Sequence, residues 1–574
     1  MSDDPKASQP GQKPELSTET RLLIAFALMG LVLFATPYFF KTVAPPPPPK
    51  KVASPQQQTA VVTPPAVPAA PAESPATANA KPAAPVAAQK EETFVIETGL
   101  YKVVFSNRGA VVQQWILKKY ADDEGKPLEL VNAAAAPKAG YAFQLVFEQK
   151  TPAVDVNTVL FAAKPTEDHL GVTYEYSSGA VTARKTFQFQ KNQYVTKVST
   201  EVRENGSALP HLIAWRGGFG DPAVINPAEQ HVVYFDLNET KLRTHVAKDA
   251  KNGPVTAEGN YSFAGLEDKY FTAVFQPVGA SPVKVVTFGD AVATAADPKE
   301  QPRVGVGIGS PVHNDFEVFV GPKDIDILSK INARLPNIVD FGWFWFLAKP
   351  LFFALHYVAD HWISNYGWAI IVVTILINFL LFPLRFTNLK SMKKMQMLQP
   401  QIAAINDKYK GIGMRDPRKQ QQNEEVMALY KKHGANPMGG CLPMLVQIPF
   451  FIAFYKVLVV SIELRHANWL WVTDLSSAEH LPIHILPIAM IATQFFMQKM
   501  TPSTSADPSQ QRMMLMMPLV MGFFFYSLPS GLVLYYMTSN LVGIAQQVFF
   551  NKTATAADIP VPVPAAKKQT RNRR

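Results

Sequence analysis

LPMLVQIPFFIAFYKVLVV, residues 442–460, is a 19-residue apolar run with a single charge, Lys456. At 1.5 Å per residue a helix of this length approaches the ~30 Å hydrocarbon core of a bilayer. Gln447 and Pro449 interrupt it. Four companions follow the same pattern, at roughly 368–384, 483–498, 513–528 and 531–550. Several of the five fall short of the ~20 residues that a full span wants, and they contain Pro, Gln and Asn. Short spans imply local bilayer thinning or water entry. Near the N-terminus, LLIAFALMGLVLFATPYFF (22–40) has no charge and is bracketed by Arg21 and Lys41. It is too long for a cleaved signal peptide and no clear A-x-A site follows, so it reads as an uncleaved anchor. The expectation is a polytopic α-helical membrane protein with six transmembrane helices, five of them in a core over 367–550.

The remaining sequence has a different texture. Residues 1–21 precede the anchor. Residues 41–92 carry Pro45 through Pro49 in a row and eight further prolines among Ala, Gln and Thr. Such a stretch cannot bury a core, and it reads as a semi-extended tether. Between 93 and 322, runs such as LYKVVFS (100–106), GVTYEY (171–176) and VTARKTFQF (181–189) alternate or are rich in β-branched and aromatic residues, with turn signals between them. These predict one large antiparallel β-sandwich. Residues 323–366 form a helical connection: DIDILSKINARL (324–335) predicts a short helix, and the aromatic-rich 343–363 predicts a helix lying in the membrane interface.

The chain has 574 residues, and a count of ~150 per domain would suggest about four domains. The segregation above overrides that count. Composition is 48% hydrophobic and 17% charged, below the ~25% charged of ordinary soluble domains. One cysteine, Cys441, excludes an internal disulfide framework and any multi-cysteine metal site. The net charge of +10 invites a nucleic-acid reading, but the charge is concentrated. Residues 385–440 hold eleven Lys and Arg against four Asp and Glu, a net +7, and 551–574 holds a net +5. The rest of the chain is therefore near neutral, so DNA is not an expected partner. The loop 463–480 is acidic. The positive-inside rule places 385–440 and both termini in the cytoplasm and 41–366 on the outer side of the membrane.

No G-x-S-x-G, H-E-x-x-H or Walker A pattern is present, so neither a catalytic site nor a metal or cofactor is expected. GVGIG (305–309) lies in the β-rich region and reads as a strand. His480 and His484 flank Pro482 and do not read as a metal pair. In 386–436, Met392, Met395, Leu398, Ile402, Ile405 and Tyr409 share one helical face. Val426, Leu429, Tyr430 and His433 share a second, with GIGMRDP (411–417) as the turn. The expectation is a Met-rich helical hairpin whose seam is either its own packing or an adaptable docking surface, with Pro400 breaking or kinking its first arm. Within the spans, Thr374, Asn378 and Arg385 fall within about 40° on one helix face. Gln447, Lys456, Gln494, Asn540 and Gln546 add polarity, and no span contains a carboxylate. Such residues act either as interhelical glue or as the wall of a wetted groove.

Four strings go further: SMKKMQMLQPQI (391–402), ANPMGGCLPMLVQIPFFIAFY (435–455), QKMTPSTSADPSQQRMM (498–514) and PSGLVLYYMTSNLVGIAQQ (529–547). In sequence and layout they resemble the YidC/Oxa/Alb family of membrane protein insertases. The resemblance implies a β-supersandwich outside the membrane, and a hydrophilic groove open to cytoplasm and lipid. It also implies insertion and folding of nascent inner-membrane proteins, alone or with the Sec translocon. The hairpin would recruit substrate. The cytoplasmic loop and the tail, with Lys567, Lys568, Arg571, Arg573 and Arg574, would meet the ribosome and membrane lipids. No bond-making step is implied. Groove residues implied by the resemblance are Thr374, Phe451, Met490, Phe524, Tyr535 and Tyr536. One position departs: the family pattern usually carries an arginine one turn after the threonine that Thr374 resembles, and here it is Asn378. Arg385 lies two turns further along the same face, and is expected to substitute in part while Asn378 keeps the groove wet. Two rivals remain: a secondary transporter, which predicts inverted repeats not visible in 368–550, and an envelope-assembly scaffold acting through the β-domain.

Overall fold

The computed structural model describes residues 85–553 except 225, 280–281, 294–297, 311–313, 412–415, 417, 436–441 and 502–507; for 442–446 and 508–514 it describes the backbone alone. The expected anchor 22–40, most of the tether, part of the 411–417 turn, Cys441 and the tail cations Lys567, Lys568, Arg571, Arg573 and Arg574 lie outside the described residues.

Three antiparallel sheets build the β-domain. The largest has ten strands and is ordered Lys241–His245, His231–Asp236, Tyr261–Glu267, Phe271–Pro277, Asn314–Pro322, Val195–Glu204, Val181–Phe189, Gly171–Ser177, Ala162–Pro165, with Ser207–Ala208 beside Val195–Glu204. A five-stranded sheet includes Val283–Val292, Gln301–Gly309 and Leu212–Trp215, so GVGIG is strand. A four-stranded sheet runs from Thr93–Glu97 to Pro127–Glu129. The single sandwich expected from the alternation is thus subdivided. One aromatic cluster joins the three sheets: Phe105 lies 4.8 Å from Phe187, and Trp115 and Phe143 lie 6.4 and 5.8 Å from Trp215. Rings of this size bury large apolar areas and favour tilted contacts at these separations. The domain starts before Thr93, which shortens the expected tether. Val86 exchanges backbone hydrogen bonds with Ser177, and Asn107 accepts from the Glu92 amide.

The strand Val181–Phe189 shows how alternation sets the core. Val181, Ala183, Lys185, Phe187 and Phe189 are buried, while the residues between them are half-buried or exposed. The period of two therefore carries a lysine into the apolar face. Lys185 Nζ donates to the carbonyls of Gly109 (2.7 Å), Phe143 (2.8 Å) and Ala110 (3.2 Å). All three residues have positive φ, so one ammonium ties down two strained turns.

The helical part follows. We label α1 Ile325–Ile331, α2 Trp345–Val358, α3 Tyr366–Leu380, α4 Phe382–Lys408, α5 Arg418–Lys432, α6 Leu442–Val460, α7 Ile485–Met500, α8 Pro508–Phe525 and α9 Ser530–Thr553. Asp324 caps α1 by accepting from the amides of Asp326 and Ile327. Helix α2 buries Ala348, Leu351, Phe352 and Leu355, and exposes Trp345, Phe346, Phe353 and Tyr357. A π-turn over Ala359–Ile363 and left-handed Ser364 end it. Asn365 then caps α3, and the chain bends by 119° between the two helices. At Leu381 the α3 ladder stops, because Pro383 has no amide to continue it and sits favourably in the first turn of α4.

One alternative, that Pro400 breaks the first arm, is corrected here. Pro400 does not break the hairpin arm: α4 runs unbroken from Phe382 to Lys408. A proline removes one ladder bond and clashes with one carbonyl, which a long helix packed along one side absorbs. Also, among the described residues no single helix is long and apolar enough to cross a membrane; only the bent pair Trp345–Ile363 and Tyr366–Leu380 passes together, by length and composition. The five apolar segments of the expected core do form helices, α3 and α6–α9; α3 and α7 have 15 and 16 residues, and α6 and α8 count as apolar helices only over Gln447–Val460 and Leu515–Phe525.

Candidate functional site

The polar face expected on α3 is directed at α9. Thr374 is fully buried, and its hydroxyl donates to the Ile370 carbonyl at 2.6 Å, one turn back in its own helix. Asn378 Nδ2 donates to the Thr374 carbonyl at 2.8 Å. The Asn378 side-chain oxygen accepts from Ser539 Oγ at 3.3 Å, and its backbone carbonyl accepts from Gln546 Nε2 at 3.1 Å. On the other side of α9, Asn540 Nδ2 donates to Thr493 Oγ1 of α7 at 3.3 Å. Asn378, Asn540 and Gln546 therefore link helices, and α9 is the element shared by both links. Polar bonds of this kind hold helices together in an apolar medium.

Arg385, in the first turn of α4, reaches the same α9 surface. It is half-buried, and one guanidinium nitrogen lies 3.5 Å from Met497 Sδ of α7. A β-carbon at Gly543 would fall 2.4 Å from that guanidinium, so the absent side chain is what lets the group lie against α9. Among the described residues no carboxylate pairs with Arg385. Gly543→Val is expected to overpack this contact and destabilise the helical unit by ~1–3 kcal/mol. Thermal unfolding in detergent would measure it, and an unchanged midpoint would show that the guanidinium has free room.

The apolar expectations divide. Phe451, Met490 and Tyr535 are buried, and Tyr536 is half-buried. Phe451 lies 6.3 Å from Tyr535 and 6.1 Å from Tyr536, while Phe454 stacks on Tyr535 at 4.5 Å. Phe524 is not in this cluster. It is exposed, and its neighbour Phe525 is buried, 5.9 Å from Phe451 and 5.0 Å from Tyr536. Consecutive helix residues diverge by 100°, so only one of the pair can face inward, and the uninterrupted FFFY run at 523–526 hides which. Gln447 is half-buried on α6. Lys456 instead pairs with Asp340 at 3.1 Å, away from the α3–α9 contact.

The hairpin seam closes on itself. Met395, Leu398 and Ile402 form a small core with Ala435, and Met392, Val426, Leu429 and Tyr430 pack around it. Ile405 is half-buried; Tyr409 is buried, and its hydroxyl donates to Glu425 at 2.9 Å. The seam is therefore packing between the hairpin's own arms, and among the described residues the hairpin methionines left exposed are Met397 and Met427. His480 contacts Thr473 and His484 contacts the Tyr526 carbonyl. Among the described residues no group of three or more His, Cys, Asp or Glu could hold a metal.

Comparison with known proteins agrees with this layout. The family model described as 60Kd inner membrane protein matches residues 358–557, and the YidC periplasmic domain model matches residues 93–354. The membrane protein insertase YidC of Pelobacter propionicus is 37% identical over 492 residues, covering 82% of this chain and 88% of that protein. That of Geotalea uraniireducens is 37% identical over 480 residues, covering 80% and 87%. A crystal structure of an active YidC insertase with its first transmembrane domain resolved covers 80% of this chain and 93% of that one, at 20% identity and a TM-score of 0.35, too loose a likeness to argue from. On the sequence relationship, which runs through the β-domain and the helical unit alike, the chain belongs to the YidC family of membrane protein insertases.

Proposed function

We propose that this chain inserts inner-membrane proteins and helps them fold, alone or with the Sec translocon, along a hydrophilic groove formed where α3, α7 and α9 meet. The observation that carries the reading is the polar ladder Asn378–Ser539–Gln546, with Arg385 seated on α9 beside it. Inside an otherwise apolar helix group, each such side chain is costly without a partner. The Oε1 atoms of Gln494 and Gln546 are buried with no hydrogen-bond partner among the described residues. Water or a passing polypeptide would supply the missing donors, which supports a wetted path rather than a sealed contact.

In this reading the helices α3 and α6–α9 cross a locally thinned bilayer, and with the anchor 22–40 they make six spans. The β-domain faces the periplasm, and the hairpin and both termini face the cytoplasm. The exposed aromatics of α2 lie at the membrane boundary, where Trp and Tyr are favoured. The polar segment of a substrate crosses beside Asn378 and Arg385, and its apolar helix slides past Tyr536 and the lipid-facing Phe524 into the bilayer. Burial of that helix drives the step without nucleotide. The basic tail contacts the ribosome and anionic lipid.

Proteoliposomes containing the purified chain provide the test. A small single- or double-span protein is expected to insert in the absence of ATP. No insertion, together with uptake of a small solute, would replace this reading with a transporter.

A further inference from the structure

The loop between α6 and α7 reaches into the β-domain. Arg465 follows a 3-10 turn over Ile462–Leu464, and its side chain is only 5% exposed. Its Nε donates to Asp221 Oδ2 at 2.7 Å, another guanidinium nitrogen donates to the Ala121 carbonyl, and the group lies 5.9 Å from the Phe271 ring centre. Asp221 is itself 2% exposed and is held rigidly. Its amide donates to Asp268 at 2.6 Å, and Asp268 also accepts from the amides of Tyr270 and Phe271.

The loop is shaped for this reach. His466 has φ +58, and its amide donates to Asp474 Oδ1, which also accepts from the Ser476 amide. The His466 ring lies 3.3 Å from Asp123 of the β-domain. On its other side the same loop holds the helices. Glu463 lies 3.0 Å from His356 of α2, and the backbones of Leu475 and Ser477 accept from Gly531 and Ser530 at the start of α9.

We propose that Arg465 docks the β-domain onto the helical unit, and that the 462–465 turn makes the β-domain, α2 and the start of α9 move as one body. Two residues apart, Glu463 grips the amphipathic helix and Arg465 grips the β-domain. A force or partner acting on the β-domain is thereby transmitted to the helices that form the candidate groove. The inference goes beyond the insertase reading and does not depend on it. Arg465 is the only cation paired with Asp221 among the described residues, and a buried carboxylate that loses its partner is left uncompensated, so the docked state depends strongly on this pair.

The test uses the full chain in membranes with Cys441→Ser, Asp123→Cys and His466→Cys, and a short bifunctional thiol crosslinker. The parent is expected to crosslink rapidly within the chain. Adding Arg465→Met is expected to slow crosslinking at least ~10-fold, because truncating one partner of a desolvated pair speeds its separation. Adding Asp221→Asn to that variant is expected to recover part of the rate by removing the unpaired charge. If Arg465→Met is not recovered folded, Arg465→Lys replaces it; it keeps the charge and loses the fork, and slower crosslinking is again expected. Equal rates in the parent and in the Arg465 variant overturn the proposal. Slowing that Asp221→Asn fails to relieve also overturns it, since the loop's own fold would then be the cause.

Discussion

Arg385→Ala is expected to reduce insertion of a substrate with Asp or Glu in its translocated segment by at least ~10-fold, while a substrate without acidic residues there is nearly unaffected. The guanidinium is half-buried at the α3–α4 junction, where Gly543 leaves room for it and Met497 covers one side. Sulfur is a weak acceptor and leaves the charge uncompensated. A hydrogen bond to a charged group is worth ~1.5–3 kcal/mol net, or one to two orders of magnitude in rate if it forms in the transition state. A substrate carboxylate that pairs with Arg385 during crossing draws on that difference. Arg385→Lys is expected to fall between, because an ammonium keeps the charge but not the planar fork. Parallel insertion assays with the two substrates decide it. Equal loss for both would mean that Arg385 only braces α9, and no loss for either would end its proposed role beside Asn378.

Lys185→Met is expected to destabilise the β-domain by ~2–3 kcal/mol, because the buried carbonyls lose three N–H donors where the group is an ammonium and two where it is a neutral amine. Pulse proteolysis of the full chain in urea would read this as a lower midpoint. Its pH dependence is specific. Burial pushes the Lys185 ammonium down to about 7, from an ordinary value of ~10.4. Between these values the unfolded chain binds more protons than the folded one, so this group makes stability rise with pH across that window. Its contribution is full above the unfolded value and is lost as pH falls through the folded one. The stability difference between the parent and Lys185→Met is therefore expected to widen from pH 7 to pH 10. A difference that stayed flat would show that the three carbonyls hold the lysine charged throughout.

The two sites differ in how far the residues revealed them. Alternation in VTARKTFQF puts Lys185 on the inward face by counting alone, but what it meets there is fixed by turns 42 and 75 residues away. Helical spacing puts Thr374, Asn378 and Arg385 on one face, and the structure brings that face to α9. The spacing left two readings of the polar residues open. The bonds from Asn378 to α9 and from Asn540 to α7 fit glue, whereas the oxygens of Gln494 and Gln546, unpartnered among the described residues, favour water. Phe524 shows the limit of motif reading: it lies between the strings 498–514 and 529–547 that carry the resemblance, and rotation about the helix decides that Phe525 faces Phe451.

By itself the sequence determined the division of the chain into a strand-rich domain and an apolar helical unit. It also determined which helix faces are apolar and where the positive charge gathers. These are local properties, set by periods of two and 3.6 residues and by composition. Only the tertiary structure decided that the hairpin's methionine seam is closed, and that Gly543 makes the space for Arg385. It alone seated Arg465 on Asp221, 244 residues away. Such contacts depend on the relative placement of elements far apart in the chain, which no local pattern encodes. A buried charge finds its partner only once both segments have folded and water has been excluded between them.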